Sequence, residues 1–273
     1  MNKNKPSIPF VGLHAHSVAG SIFDAIGYPQ EHMDFAYENG CTALALTDHG
    51  NMNGLPYQVL HAKKMQDEGK EFKPIYGVEA YFIPSLSEWH DEYNKAMEDK
   101  KRARAVARGD QSGATIEDET ASKRTQDILK RRRHLVLLAQ NQQGLNNLFN
   151  LVSESYKAEN FYRYPRIDFE LLEKYNEGII AASACLGGVY AGSYWECSTY
   201  DENGKHAGVD KEAALDLMRA TTARMVEIFG DRWYAEIQWN NIKQQHELNQ
   251  LVMQVAAEFG VELVTTADSH YPN

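Results

Sequence analysis

The stretch Val11-Gly12-Leu13-His14-Ala15-His16-Ser17 places two histidines two residues apart at the end of an apolar segment. In extended backbone, side chains two residues apart point to the same face, so His14 and His16 can bind one cation. The same spacing recurs near the other end of the sequence, in Thr266-Ala267-Asp268-Ser269-His270. We therefore predict a fold that brings these two segments together and closes around metal.

Further side chains that bind metals lie between these two pairs, mostly where predicted strands end. Thr47-Asp48-His49-Gly50 contributes a histidine, and Gly77-Val78-Glu79-Ala80-Tyr81 contributes a carboxylate. An unpaired carboxylate among apolar neighbours is costly, and a metal ion would remove that cost for Glu79. The full set of candidate ligands is His14, His16, Asp24, His49, Glu79, His134, Cys185, Asp268 and His270.

Some of these candidates also have an ordinary structural interpretation. Taken alone, Asp24 is typical of a turn or a helix N-cap, and Cys185 is typical of a small buried apolar side chain. His134 opens its predicted strand directly after basic residues, so its position favours a ligand less than those of the other histidines. Asp48, beside His49, could bind metal or orient a histidine ligand. The other histidines have no such partners in the sequence and are interpreted as surface residues: His32, His61, His90, His206 and His246.

The chemistry of the ligand set indicates which ions it would bind. Imidazole, thiolate and carboxylate ligands together suit zinc, manganese or iron better than magnesium alone. Nine ligands exceed what one ion can use, and a carboxylate such as Glu79 can bridge two ions, so we expect two or three ions. Metal ions about 3.5–4 Å apart activate water and stabilise the leaving oxygen in phosphoester cleavage. The sequence contains no nucleotide-binding G-x-x-x-x-G-K-[ST] loop, and no G-x-G-x-x-G motif follows a strand.

Composition excludes some classes of protein. The chain has 273 residues, with 28 Lys and Arg against 38 Asp and Glu, a formal net charge of −10. This balance argues against a sequence-independent DNA coat, but not against an enzyme that meets nucleic acid at a metal-filled pocket. Three scattered cysteines favour a reducing, cytoplasmic setting. Residues 1–6 lack the apolar region of a signal peptide, and no apolar run approaches the length of about 18 residues that a membrane span needs.

Short apolar runs alternate with longer helical patterns, which predicts a mostly parallel sheet covered by helices. The polar residues at the ends of the strands favour a seven-stranded barrel with its catalytic groups at the C-terminal face. The predicted strands lie near residues 9–14, 43–48, 74–82, 134–139, 178–183, 233–237 and 263–267. The predicted helices lie near residues 29–39, 55–68, 142–157, 169–175, 211–229 and 244–259.

We expect one domain over residues 1–273, with two departures from the pattern. Residues 87–133 are rich in charge and show no clear apolar stripe. We interpret them as a solvated helical insertion, and the alternative is a basic arm that binds a nucleic-acid backbone. Residues 196–208 are predicted to form a polar surface loop. The aromatic residues of 159–165 could stack bases, although packing against the barrel is the preferred interpretation.

Several motifs are similar, in order, to those of a known family. Leu13–Ser17 followed by Asp24, and then residues 45–52, match its first two motifs, and residues 73–81 match the segment that bears a bridging glutamate. Residues 134–139, 162–167, 183–188 and 267–271 follow in the same order. From about residue 9 to its end, except for residues 87–133 and 196–208, the chain resembles the PHP (polymerase and histidinol phosphatase) domain at the N-terminus of bacterial DNA polymerase III α subunits.

The resemblance implies a distorted seven-stranded (β/α)7 barrel with a trinuclear metal site at its C-terminal face. It implies Glu79, Asp268 and His16 as catalytic residues, with Glu79 bridging two ions. The implied ligands are His14, His16, Glu79 and Asp268 for the first ion, Glu79, His134 and Cys185 for the second, and Asp24, His49 and His270 for the third.

The resemblance implies a metal-dependent phosphodiesterase, specifically a 3′→5′ exonuclease that acts on DNA 3′ ends and could proofread during DNA replication. Its implied partners are polymerase III domains or replisome subunits. The alternatives are a small-molecule phosphomonoesterase of the histidinol-phosphatase type and a structural module that braces a polymerase. Because the sequence stops soon after its last motif, we expect either an excised domain or a free-standing relative.

Overall fold

The computed structural model describes residues 10–109, 127–128 and 130–272 of the chain. In these residues, the predicted helices and most of the predicted strands are confirmed within a few residues at each end. The helices are α1 (Pro29–Glu38), α2 (Leu55–Asp67), α3 (Leu86–Gly109), α4 (Gln142–Ser155), α5 (Phe169–Tyr175), α6 (Val189–Glu196), α7 (Lys211–Phe229) and α8 (Lys243–Phe259), with a 3-10 turn at Gly230–Arg232. The strands are β1 (Ala43–Leu46), β2 (Lys73–Phe82), β3 (Arg133–Ala139), β4 (Phe161–Tyr162), β5 (Tyr164–Ile167), β6 (Ile179–Ala182), β7 (Ser198–Tyr200), β8 (His206–Val209), β9 (Trp233–Gln238) and β10 (Glu262–Thr266).

Side-chain caps explain where three of the helices begin. Asn141, Asp168 and Asp210 stand before α4, α5 and α7, and each accepts a hydrogen bond from the backbone N–H three residues further on. This bond satisfies one of the N–H groups that a helix leaves unpaired at its N-terminus.

One curled sheet contains most of the strands, in the order β10-β9-β6-β3-β2-β5-β4, and β1 also pairs with β2. Strand β2 is parallel to β1 and to β5, while β9 is parallel to β6 and to β10. The resulting α/β architecture is a half-barrel in which the C-terminal ends of these parallel strands lie along one edge.

Residues 12–16 link the two sides of this half-barrel. The backbone N–H of Thr47 donates to the carbonyl of Ala15 at 2.8 Å, which joins the segment to the chain after β1. The N–H of His16 donates to the carbonyl of Ser269 at 2.8 Å, which joins it to the chain after β10. The segment forms isolated bridges and not the regular strand expected near residues 9–14, of which residue 9 lies outside the described residues. Ala15 is buried in an apolar cluster, so the flanking His14 and His16 point to the opposite face.

Strand β3 is antiparallel to both of its neighbours, β2 and β6, so the sheet is more mixed than we expected. The reversal decides the position of His134, which opens the strand. Because β3 runs the opposite way, His134 pairs with Tyr81 near the end of β2 and lies at the same edge as the ends of the parallel strands. The position that counted against His134 in the sequence is therefore the one that brings it to the site. An apolar run does not specify the direction of its strand, which is why the sequence did not show this.

The charged insertion packs more than its composition indicated. Helix α3 places Leu86, Trp89 and Ala96 in a buried cluster with Ile83 and Ile128. These helix positions follow the spacing of one helical face, so the prediction of an insertion without an apolar stripe was wrong. Residues 110–126 of the insertion lie outside the described residues.

The predicted surface loop at residues 196–208 contains most of a β-hairpin, formed by β7 and β8. Its turn is ordered by Asp201, whose carboxylate accepts hydrogen bonds from the backbone N–H groups of Asn203 and Lys205. The aromatic segment 159–165 contributes to a second hairpin, β4–β5, with Arg163 at its turn.

Alternation along the strands separates the packed face from the site. In β2, Val78 and Ala80 belong to the large apolar cluster, together with Leu135 and Leu137 of β3. Glu79 stands between the first two and therefore points to the inside of the half-barrel. In the part of the chain that the structure describes, no helix has the length and apolar character needed to cross a membrane.

Candidate metal centre

Glu79 is the centre of the candidate site. Its side chain is fully buried, and four imidazoles converge on it. Oε1 lies 2.6 Å from Nδ1 of His134 and 3.4 Å from Nε2 of His14. Oε2 lies 3.6 Å from Nε2 of His16 and also contacts Nδ1 of His49. The two oxygens of one carboxylate thus face imidazoles from three different parts of the chain.

Asp268 connects the pair Asp268 and His270 near the C-terminus to the pair His14 and His16 near the N-terminus. Its Oδ1 lies 3.0 Å from Nε2 of His16, 3.2 Å from Nε2 of His14 and 3.7 Å from Nδ1 of His270. Asp268 has a φ of 48°, in the left-handed region that side chains other than glycine rarely adopt. Backbone strain of this kind is concentrated at functional sites, and here it points a carboxylate at two histidines.

Asp24 marks the open side of the site, since 48% of its side chain is exposed. Its Oδ2 lies 3.0 Å from Nε2 of His49 and 3.8 Å from Nε2 of His270. The ring of His16 packs against the rings of both histidines, with centroid distances of 4.1 Å to His49 and 4.5 Å to His270. The loop between residue 16 and α1 therefore supplies a carboxylate at the entrance.

Cys185 lies on the His134 side of Glu79. Its Sγ is 3.6 Å from Nδ1 of His134 and 3.9 Å from Oε1 of Glu79, and the N–H of Gly187 donates to it at 3.4 Å. The preceding residue, Ala184, has a φ of 62°, a second left-handed residue at the site. Burial, reinforced by the nearby carboxylates, raises the pKa of the thiol well above its usual value, so the metal-free protein keeps Cys185 protonated.

Glu236 is a buried residue of the site that the sequence analysis missed. Its Oε1 lies 2.7 Å from Nδ1 of His14 and also accepts hydrogen bonds from Gln238 Nε2 at 3.0 Å and Thr266 Oγ1 at 2.5 Å. Because a carboxylate only accepts, Nδ1 of His14 is the donor, and Nε2 is the nitrogen that faces Glu79 and Asp268. The alternating pattern of β9 placed Glu236 among apolar residues, which was the available signal.

A second support fixes the ring of His16. Nδ1 of His16 lies 3.2 Å from Oγ of Ser21, and that hydroxyl donates to Oδ1 of Asp48 at 3.0 Å. Asp48 also accepts from the backbone N–H and the hydroxyl of Ser17, at 2.6 and 2.8 Å. Of the two roles considered for Asp48, the geometry favours that of orienting a histidine, because Asp48 contacts Ser21, which contacts His16. Outer partners of this kind set the tautomer of a histidine ligand.

The pKa values show how this cluster is balanced without metal. Burial lowers the pKa of His14, but Glu236, Asp268 and Glu79 outweigh it and raise that pKa well above its usual value. Burial lowers the pKa of His16, so this ring is neutral at pH 7. Burial raises the pKa of Asp268, but His14 and His16 outweigh it and bring it to about 2. Burial likewise opposes ionisation of Glu79, and the surrounding histidines, with His134 first, hold its pKa well below the usual range.

The residues fit divalent metal ions. Nε2 of His14, Nδ1 of His49 and Oε2 of Glu79 are buried and form no hydrogen bond with the described residues. Nitrogen lone pairs and carboxylate oxygens that face one another repel unless a proton or a cation lies between them. Groups whose ligand atoms lie within 4.8 Å of one another are His14–His16–Glu79, His49–Glu79–His134 and His16–His49–His270.

The structure thus brings all the predicted ligands into one connected cluster. Four of the histidines interpreted as unpartnered surface residues have hydrogen-bond partners. His32 is buried and its Nε2 lies 3.0 Å from the carbonyl of Ile26, while Nε2 of His61 lies 2.8 Å from Oδ1 of Asp34. Nε2 of His90 lies 2.5 Å from the carbonyl of Glu159, and Nε2 of His206 lies 3.2 Å from Oγ of Ser198.

Comparison with known proteins identifies the family. A sequence model of the PHP domain matches residues 12–240, and the chain belongs to the PHP domain family. This confirms the resemblance inferred from the motifs. Family membership and the histidine–carboxylate cluster together support a hydrolase function.

Its similar proteins include DNA polymerase III α subunits. That of Aquifex aeolicus is 35% identical over 264 residues, covering 97% of this chain and 18% of the relative. That of Campylobacter jejuni is 32% identical over 269 residues, covering 96% of this chain and 18% of the relative. The chain thus spans less than a fifth of the length of these relatives. Among solved structures, an amidohydrolase from Chromobacterium violaceum is 14% identical with a TM-score of 0.45, covering 96% of this chain and 88% of that one.

Proposed function

We propose that the chain is a metal-dependent phosphodiesterase that removes nucleotides from DNA 3′ ends, a 3′→5′ exonuclease associated with a polymerase III α-like replicase. The observation that carries the proposal is the convergence of four imidazoles on the buried carboxylate of Glu79, with unpaired nitrogen and oxygen atoms facing one another. The similarity to polymerase α subunits supports DNA as the substrate.

The proposal includes three divalent ions, of zinc, manganese or iron, in a distorted seven-stranded barrel. In this barrel, residues 12–16 would take the place of a strand between β1 and β10. Their backbone hydrogen bonds to Thr47 and Ser269 support that position. The proposed ligands of the ions are His14, His16, Glu79 and Asp268 for the first, Glu79, His134 and Cys185 for the second, and Asp24, His49 and His270 for the third.

Bound divalent ions would lower the pKa of water and neutralise the oxygens of a phosphodiester. The residues of the chain prepare for that chemistry. Glu236 and Ser21 hold the Nδ1 atoms of His14 and His16, which leaves Nε2 of each ring facing Asp268. Glu236 is buried and its Oε1 is bonded to Gln238 and Thr266 as well as to His14, so it holds the ring of His14 in one orientation. Asp24 is exposed on the side from which a strand end can enter.

The test uses the purified chain with a 5′-labelled single strand and a 5′-labelled primer–template that carries a 3′ mismatch, each with manganese or zinc. We expect a stepwise ladder of products, and we expect Asp268→Asn to lose both bound metal and the ladder. The matched control is Asp231→Asn, an exposed aspartate in the turn after α7.

Either of two results would contradict the proposal. One is full activity of Asp268→Asn despite reduced metal content. The other is no ladder from protein that is shown to be metal-loaded. In the second case, hydrolysis of p-nitrophenyl phosphate or histidinol phosphate would indicate a phosphomonoesterase, and no hydrolysis would indicate a structural module.

A further inference from the structure

Arg132 holds its guanidinium on an aromatic platform made by Tyr164 and Tyr81. Its Cζ lies 3.7 Å from the ring centroid of Tyr164 and 5.3 Å from that of Tyr81. The two tyrosine rings pack edge to face, with centroids 5.1 Å apart. A guanidinium stacked on aromatic rings is already ordered, so it loses little freedom when it binds an anion.

The platform adjoins the candidate metal centre. The ring of Tyr81 is stacked on that of His49, with centroids 6.2 Å apart, and meets His134 edge-on at 5.5 Å. Arg132 contacts the same tyrosine ring and lies two residues before His134 in the chain. Tyr81 therefore contacts both the guanidinium and two of the candidate ligands.

The charge of Arg132 has no partner of opposite sign within 4.0 Å among the residues that the structure describes. Its Nη1 donates a hydrogen bond to the carbonyl of Lys130, at 3.2 Å. The neighbouring Arg131 differs, because its Nη2 lies 3.2 Å from Oε2 of Glu92. A half-buried cation without a counter-ion is unusual in a chain whose net charge is −10, and an anionic ligand would supply that counter-ion.

We propose that Arg132 binds a backbone phosphate of the substrate strand, next to the phosphate that is cleaved. This inference rests on the proposed function for the identity of the substrate. Because Tyr81 contacts both Arg132 and two of the candidate ligands, we place the phosphate that Arg132 binds next along the strand from the one that is cleaved. Arg132 is then a specificity-determining residue, which favours a chain of phosphodiesters over a compound with a single phosphate.

The first experiment measures binding of a fluorescein-labelled single-stranded oligonucleotide by fluorescence anisotropy, without added metal, so that no cleavage occurs. We expect Arg132→Ala to raise Kd about 10- to 100-fold, because a hydrogen bond to a charged group contributes about 1.5–3 kcal/mol. We also expect the slope of log Kd against log salt concentration to fall by about 0.7, the value for one phosphate contact on a single strand. The matched control is Arg131→Ala, which removes the same charge one residue away and should leave both quantities near those of the wild type.

The second experiment compares two substrates in the metal-loaded protein. Bis(p-nitrophenyl) phosphate has one phosphate, so Arg132→Ala should keep its kcat/KM, whereas cleavage of the oligonucleotide should weaken through a higher KM. Metal content and circular dichroism establish that the variant folds. If Arg132→Ala does not fold, Arg132→Gln keeps part of the stem without the charge and takes its place.

Wild-type affinity and salt slope in Arg132→Ala, or equal losses in Arg132→Ala and Arg131→Ala, would overturn the inference. Equal losses on both substrates would also overturn it, because they would show a general structural role. If the wild type cleaves neither substrate, the proposed function fails, and the binding comparison between the two arginine variants still decides the role of Arg132. A wild type that does not bind the oligonucleotide overturns the inference outright.

Discussion

Removing one hydroxyl at Ser21 should weaken metal binding without touching a ligand. Oγ of Ser21 contacts Nδ1 of His16 at 3.2 Å, accepts from the backbone N–H of His49 at 3.1 Å, and donates to Asp48. The side chain is buried, so water does not easily replace these bonds. Ser21→Ala therefore frees the imidazole of His16 to rotate and to change tautomer.

The expected magnitude follows from these contacts. Loss of an outer partner of a histidine ligand typically costs 10- to 100-fold in metal affinity, or about 1.4–2.7 kcal/mol. The low pKa of His16 means that its ring is already neutral in the metal-free protein, so proton competition does not mask the effect. Stability falls separately, by about 1–3 kcal/mol, because the N–H of His49 is left buried without an acceptor. Asp48 contributes little to this loss, since both of its bonds from Ser17 remain.

Competition of the protein with a chromophoric chelator for zinc or manganese measures the affinity, and urea unfolding of the metal-free protein measures the stability. The control is Ser153→Ala, an exposed serine on α4. Equal metal affinities for Ser21→Ala, Ser153→Ala and the wild type would refute the argument that Ser21 positions His16. A loss of stability with unchanged metal affinity would assign Ser21 to folding alone.

Two further predictions concern pH and backbone strain. The pKa of His14 is higher in the folded protein than in the unfolded chain, so protonated His14 stabilises the metal-free protein. This contribution is fully present below about pH 6.5 and is lost as the pH rises through the folded pKa. Metal must displace the same proton, so chelator competition at several pH values should show affinity rising with pH, and a pH-independent affinity would contradict this reasoning. Gly50 has a φ of 65°, and a Cβ there would lie 2.9 Å from Pro165 and 3.0 Å from Tyr81, so Gly50→Ala should lower the free energy of unfolding by about 2 kcal/mol or more. Gly69 has a similar φ of 74°, but a Cβ there would meet open space. Gly69→Ala should therefore lower the free energy of unfolding by less, about 1 kcal/mol, as measured by urea unfolding. Equal losses in the two variants would mean that the contacts around Gly50 do not matter.

The sequence was most informative where a function depends on residues close together in the chain. The spacing of His14 and His16 predicted a shared face because alternation in extended backbone is a local property. The same reasoning should have found the helical face of Leu86, Trp89 and Ala96 in α3, but the many charged residues around it obscured it.

By itself, the sequence determined the family, most of the helices and the types of ligand that the chain can offer to metal, because motifs, caps and alternation depend on residues close together in the chain. It did not predict α6. Only the tertiary structure decided which of these side chains meet. It brought Glu236 to His14 across 222 residues, turned β3 so that His134 faces Glu79, and stacked Arg132 on Tyr164. These contacts depend on the order and direction of strands, which are set by the packing of the whole sheet and not by any single segment.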